Sequence, residues 1–371
     1  MVFSSIVFIF FFLPAVLIGY YSLRESLRFP FLLISGLFFY FYGETYLILV
    51  MLTTTSIDYC CGLLISGGFR QKQPKLLDPD GPRTRSQKAW LIISITSNLA
   101  LLGYFKYFNF FTDNLIHILD SMHMSHLRLS GLVKVSLPLG ISFYTFQSMS
   151  YTIDVYRGHV KANRSLLRFA TFVTMFPQLV AGPIVRYADI EKQLLNHSVS
   201  LDRFVDGIKR FIIGLAKKVL IANTLGGVAD QIFAMNKADL STSLAWIGVI
   251  AYSLQIYFDF SGYSCMAIGL AKMLGFDLLE NFNYPYISRS IKEFWRRWHI
   301  SLSTWFRDYL YIPLGGSRSS GLRTYRNLLI VFLLCGLWHG ASWNFVIWGL
   351  FHGVFLSLER MRPGKWLKAL P

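Results

Sequence analysis

Apolar runs of about 20 residues recur along the chain, separated by short polar and basic stretches. That pattern predicts a set of membrane-crossing α-helices. Residues 2–22 form the first predicted span. Residues 29–42 and 46–67 read as two helices broken at Gly43-Glu44. Residues 68–88, entered through Gly67-Gly68-Phe69-Arg70 and left through Arg83-Thr84-Arg85-Ser86-Gln87-Lys88, read as a basic loop bearing Pro and Gly. Residues 89–111 cross again, 112–132 form a loop, and 135–156 return to end at Arg157. Residues 166–183 are apolar but close on Pro177-Gln178-Leu179-Val180-Ala181-Gly182-Pro183. Two prolines and a glycine at such depth predict a broken or re-entrant helix sheltered by protein. Residues 204–229 and 243–274 are further spans. No internal repeat or separate soluble domain interrupts the pattern. The expected fold is all-α and polytopic, with residues 1–371 as a single domain.

Residues 327–358 break the rule of one run per span. About 32 residues at roughly 1.5 Å each make about 48 Å of helix, whereas one span needs about 30 Å and two need about 60 Å. A pair of shortened helices meeting inside the membrane resolves the mismatch, with Gly336, Gly340 and Ala341-Ser342 as the break and His339 near its tip. Residues 285–316 are the second anomaly. Their helical phase mixes Trp and Phe with Arg, Glu and Asp, too charged for a free span but suited to an amphipathic helix at the cytoplasmic interface.

Composition narrows the class. Of 371 residues, 54% are hydrophobic and only 15% charged, too few charges for a soluble protein of this size. An outer-membrane barrel would show short alternating segments instead. The net charge of +16 does not point to nucleic acid, because the basic residues sit in loops between apolar runs. Cytoplasmic loops facing anionic membrane lipid have that pattern. Arg24 and Arg28 follow the first span and place the N-terminus outside. Met1-Val2-Phe3-Ser4 lacks a basic n-region, so the first helix is expected to be retained. Cys60, Cys61, Cys265 and Cys335 fit no metal spacing and read as small buried hydrophobes. His117, His123 and His126 lack acidic or cysteine companions and read as a surface loop, and no metal site is expected.

Chemistry is expected at two histidines. His339 lies in the apolar run that ends Leu337-Trp338, and an ionisable group at membrane depth is a functional candidate. His299 closes Arg296-Arg297-Trp298-His299. Arg296, Arg297 and Arg307 suit an anionic donor, although arginines on an interfacial helix also suit lipid phosphate. Asp259 needs a partner, either a structural one such as an Arg or a Tyr hydroxyl or a catalytic one. Gln178 and His352 read as groups satisfied by interhelical hydrogen bonds. No Gly-x-Ser-x-Gly elbow, P-loop, His-Glu-x-x-His or dinucleotide glycine pattern stands out, which argues against a serine hydrolase.

Glu293 through Ser303, Trp305-Phe306-Arg307-Asp308-Tyr309-Leu310-Tyr311 and Leu337-Trp338-His339-Gly340 resemble the membrane-bound O-acyltransferases. Met1 through Ser5, Gly182-Pro183 and Tyr257 through Tyr263 look like the bacterial alginate O-acetyltransferase branch. The resemblance covers nearly the whole chain. It implies helices around a central funnel, with His339 as the essential histidine and His299 as the second polar residue of the site. Arg296, Arg297, Arg307, Trp298, Trp338 and Asp259 are the expected substrate-binding groups. No bound cofactor is implied. Acetyl-CoA is the expected donor, a cell-surface polysaccharide the acceptor, a periplasmic acetyltransferase the partner, and the bacterial inner membrane the location. Relatives usually continue for several more helices, and a chain ending at Pro371 is expected to lack them. D-alanyl transfer to teichoic acid is the alternative within the family. A transporter or flippase using His339 and Asp259 as a proton relay is the alternative outside it, but the paired halves expected of one are not visible.

The charge pattern makes a topological prediction. Residues 68–88 and Arg157–Arg168 should face the cytoplasm, and 112–132 the outside. In intact cells, a membrane-impermeant thiol reagent should label Ser121→Cys from outside. Labelling only from the cytoplasmic side overturns the orientation.

Overall fold

The computed structural model describes residues 1–69, 74–123, 134–318 and 321–361. Among these, the regular elements are all helical. The first five are α1 (Leu13–Ser22), α2 (Glu25–Glu44), α3 (Ile48–Ile65), α4 (Arg85–Ser121) and α5 (Ile141–Arg157). Next come α6 (Leu166–Thr174), α7 (Phe176–Leu179), α8 (Tyr187–Leu195), α9 (Leu201–Ala216), α10 (Asn223–Phe233) and α11 (Thr242–Met273). The last four are α12 (Ile291–Arg297), α13 (Ile300–Phe306), α14 (Gly321–His339) and α15 (Trp343–Arg360). Among the described residues, four stretches are long and apolar enough to cross a membrane: Glu25–Ile65, Arg85–Ser121, Leu201–Phe233 and Thr242–Met273. The all-α, multi-pass membrane fold read from the sequence is the fold observed.

Several boundaries differ from expectation for local reasons. The α2–α3 break falls at Thr45, at φ +38°, rather than at Gly43-Glu44, which stay helical. α4 starts at a capping box, where Thr84 Oγ1 accepts from the Gln87 amide and Gln87 Oε1 accepts from the Thr84 amide. It then runs ten residues past Phe111 to Ser121. Leu115, Ile116, Ile118 and Leu119 prolong its apolar stripe, so the loop predicted from residue 112 begins later. His117 is therefore helical and His123 follows the helix, while His126 and Arg70 lie outside the described residues. α8 was not anticipated; its nine residues bury Tyr187, Ile190 and Leu194. The predicted break before Pro183 is the α6–α7 elbow at Met175, just ahead of Pro177. Gln178 satisfies that elbow by donating from Nε2 to the Phe172 carbonyl at 2.5 Å.

The helices divide into two compact units. The first comprises residues 1–48 and 165–281. Its axis is the antiparallel crossing of α9 and α11, built on glycines seven residues apart in each helix. A methyl group on Gly214 would lie 2.6 Å from the Gly262 carbonyl oxygen, and one on Gly262 would lie 2.8 Å from that of Gly214. Gly207 and Gly269 repeat the contact at 2.7 Å each way. Side-chain-free surfaces let the two backbones touch, the usual means of packing helices in lipid. Beside them, Phe3, Phe8, Phe12, Phe39 and Phe176 form one aromatic cluster.

The second unit comprises residues 49–164 and 282–371. A buried carboxylate ties α3, α4 and α5 together. Asp58 is fully buried and accepts from Ser94 Oγ at 2.5 Å, from Asn98 Nδ2 at 2.9 and 2.8 Å, and from Ser148 Oγ. Each oxygen thus has its donors, as a charge or polar group in an apolar interior requires. α14 and α15 form the expected helix pair, broken at Gly340-Ala341-Ser342. α14 starts earlier than residue 327, and the two helices of 19 and 18 residues are close to full spans. Gly336, Gly349 and Gly353 allow their close approach.

The glycine contacts make a direct prediction. Gly262→Val should force α9 and α11 apart and lower stability by roughly 1–3 kcal/mol, the usual cost of overpacking. Gly227→Ala, where a methyl meets nothing within 4 Å, should be near neutral. Thermal unfolding in detergent tests the pair, and equal melting temperatures would refute the packing argument.

Candidate active site

Two chain breaks in the second unit bring the two predicted histidines together. The first is the end of α14. His339 is its last helical residue, and Gly340 and the extended Ser342 turn the chain into α15. The His339 imidazole centroid lies 4.8 Å from Trp348 and 5.0 Å from Trp338, edge to face with both. Its Nε2 is buried and has no hydrogen-bond partner.

The second break is at His299. The expected continuous amphipathic helix is instead two short helices, α12 and α13, with His299 between them at φ +43°. A left-handed residue other than glycine costs on the order of 1 kcal/mol or more, and such residues gather at functional sites. The termini around it are well supported. Ser290 Oγ accepts from the Glu293 amide at 3.0 Å. The Glu359 carboxylate of α15 accepts from the amides of Ile291 at 2.5 Å and Lys292 at 3.1 Å, where the positive end of α12 favours it. His299 is 1% exposed, and its ring lies 6.0 Å from Trp338. With Trp338 at 6.0 Å from one imidazole and 5.0 Å from the other, the two centroids are no more than about 11 Å apart, the sum of those spacings.

Trp338 is therefore the shared wall. Its Nε1 donates to the Ser142 carbonyl of α5 at 3.3 Å, and Phe143 and Phe146 pack on it. Phe146 stacks on Trp305 at 3.7 Å, and Trp305 Nε1 donates back to the Phe146 carbonyl at 3.1 Å. His352 has a structural partner, accepting at Nδ1 from Trp295 Nε1 at 3.3 Å. Two residues that sequence reasoning passed over complete the site. From α4, Lys106 donates to the Trp338 carbonyl and to Ser142 Oγ at 2.9 Å, and Tyr107 donates to the Leu337 carbonyl at 2.6 Å. The signal was present as a lysine inside an apolar, aromatic run, Tyr104-Phe105-Lys106-Tyr107-Phe108.

The predicted substrate-binding residues separate into groups. Arg296 and Arg307 line a cavity of about 600 Å³ together with Lys292, Trp295, Tyr311 and Cys335. Cys335 stands one helical turn before His339. Arg307 is also chelated by Asp308 at 2.6 and 3.0 Å. Arg297 turns to Glu293 at 2.9 Å and to the Asn283 carbonyl at 3.1 Å, and is not among the cavity residues above. Trp298 packs on Phe282, Phe294 and Tyr286. Asp259 belongs to the first unit, where its partner is Lys218 at 2.6 Å rather than an arginine or a tyrosine. Among the described residues, no group of three or more His, Cys, Asp or Glu is arranged to hold a metal.

These features define a buried histidine site beside a basic cavity in a multi-pass membrane protein. The model for MBOAT, the membrane-bound O-acyltransferase family, matches residues 37–362, and the chain belongs to that family. A probable alginate O-acetylase of Pseudomonas aeruginosa is 48% identical over 99% of this chain and 69% of its own length. The peptidoglycan O-acetyltransferase of Helicobacter pylori is 38% identical over 97% of this chain and 70% of its own. The teichoic acid D-alanyltransferase of Bacillus subtilis is 32% identical over 62% of this chain and 60% of its own. The family read from the two histidine motifs is the family found. As a member, the protein is an O-acyltransferase.

Glu293 gives α12, the helix before His299, a pH dependence. The Arg289 amide, at 3.0 Å, and Arg297 both bond its carboxylate and hold its pKa below the usual value. A carboxylate with a depressed folded-state pKa stabilises above its unfolded pKa, and that stabilisation is lost as pH falls through the folded value. Glu293→Gln should therefore melt below wild type at neutral pH, with the gap closing below about pH 4. A gap that stays constant with pH would refute the ion-pair account.

Proposed function

We propose that this enzyme moves an acetyl group from acetyl-CoA on the cytoplasmic side to a hydroxyl on the outer side, for O-acetylation of a cell-surface polysaccharide of the alginate type. His339 is the general base. Its Nε2 takes the hydroxyl proton as the oxygen attacks the thioester carbonyl. The new C–O bond forms, the C–S bond breaks, and the thiolate leaves and recovers the proton. His299, whose ring faces the same Trp338 indole, polarises the thioester carbonyl or holds the acceptor, in surroundings where fixed dipoles act strongly. Arg296 and Arg307, with Lys292, receive the phosphate-bearing part of the donor, since cations suit phosphate oxygens. Arg297 and Trp298 hold the segment rather than the substrate, and Asp259 stays with Lys218.

The observation that carries this reading is the buried, unpartnered Nε2 of His339 beside a basic cavity. A neutral imidazole with an open nitrogen is suited to proton transfer near neutral pH. The polysaccharide acceptor rests on the names of the 48% and 38% identical relatives, a probable alginate O-acetylase and a peptidoglycan O-acetyltransferase. The enzyme sits in the bacterial inner membrane with its N-terminus outside. A periplasmic acetyltransferase passes the group to the final polymer.

His339→Ala should insert and fold, and should lose on the order of 10²–10⁴ in transfer rate, the usual contribution of a positioned base. Acetyl content of the surface polymer in cells carrying only this variant is the measurement. Near-normal acetylation rules out His339 as the base.

A further inference from the structure

We infer that Lys106 is a positioning residue for acyl transfer, holding His339 in place through the backbone and the indole immediately before it; this rests on His339 being the base. A helix leaves its last carbonyls without intrahelical partners and carries partial negative charge at that end. α14 ends at His339, and the Leu337 and Trp338 carbonyls belong to its last turn. Trp338 is 6% exposed, so its end of the helix depends on donors from the protein. Tyr107 supplies a hydroxyl to Leu337, and Lys106 supplies an ammonium to Trp338.

Lys106 does more than cap. A second N–H is spent on Ser142 Oγ at 2.9 Å, which fixes the ammonium to α5. The same ammonium lies 5.6 Å from the Trp338 ring centroid, within cation–π range. Trp338 is thus gripped at its carbonyl by Lys106, at its ring face by the same charge, and at Nε1 by the Ser142 carbonyl. His339 is the next residue, its ring set edge to face against that indole at 5.0 Å. One cation therefore fixes the end of the helix and the ring plane against which the base is aligned. A neutral side chain leaves the Trp338 carbonyl and the helix dipole uncompensated, and the last turn is free to relax. A displacement of about 1 Å at a reacting group costs up to about 10²-fold in rate.

The test compares the full-length protein with Lys106→Met, Lys106→Arg, Lys106→Gln and His339→Ala, all in detergent with acetyl-CoA as donor. Rates are normalised to folded protein by its melting transition. Lys106→Met should fold, keep the wild-type KM for acetyl-CoA and lose roughly 10- to 100-fold in kcat. Lys106→Arg, which keeps charge and donors, should recover much of the loss. A residue needed only for stability would change the folded fraction and leave normalised kcat alone. Wild-type kcat in Lys106→Met, with His339→Ala inactive, overturns the proposal and leaves the base assignment standing. Activity in His339→Ala removes the base assignment, and this proposal with it. If Lys106→Met does not accumulate, Lys106→Gln decides. A wild-type kcat there overturns the proposal, and a lowered kcat at unchanged KM supports it.

Discussion

A backbone carbonyl buried in an apolar protein interior must find a donor within the protein, because little water reaches it there. That requirement governs the end of α14. The chain stops its helix at His339, where stopping exposes carbonyls to an apolar interior. Tyr107, Lys106 and the Gly340 amide answer it, each by a hydrogen bond to a carbonyl of the last turn or the one before. With those bonds in place, the imidazole can stand at a helix terminus without the terminus fraying. Without them, the helix would extend or unravel, and His339 would have no fixed direction.

Around that point the walls are rings rather than aliphatic chains. Trp338, Trp348, Trp305 and Phe146 surround the two histidine breaks. Aromatic side chains have few rotatable bonds and definite contact geometries. The indole N–H groups of Trp338, Trp305 and Trp295 are spent on the Ser142 carbonyl, the Phe146 carbonyl and His352 Nδ1. The cavity lined by Arg296 and Arg307 adjoins this stiff frame through Trp295 and Cys335.

The existence of a helix pair at the C-terminal end was readable from length, but the shortening was not, because α14 begins at Gly321, ahead of the apolar run. Gly340 marked where, while Gly336 stays helical and packs against α15. His299 was readable as a candidate but its setting was not. The Trp/Arg phase of residues 285–316 looks continuous, and only the fold shows the left-handed break at φ +43°. Lys106 and Asp58 were hidden for another reason. Apolar periodicity reports that a position is inside, but not which distant group meets it. The partners of Lys106 and Tyr107 on α14 are 232 and 230 residues away in the chain. Asp58 gains its donors from residues 36 to 90 positions further on. The end of α4 was misplaced because Asn109, Thr112 and Asn114 look like loop residues. Instead Thr112 and Asn114 bond backbone carbonyls one turn back and stay helical.

The paired glycines of α9 and α11 carry a mechanical consequence. Each contact is backbone on backbone, and the spacing of seven residues repeats it two turns along. Sliding one helix by a single residue, about 1.5 Å with a rotation of about 100°, would set side chains where glycines now meet. Intermediate positions would be blocked by the same atoms. The crossing therefore behaves as a keyed joint with one engaged position. Small translations of this pair cannot serve as a route for substrate passage, and any opening within the first unit has to occur at elements that lack such a key.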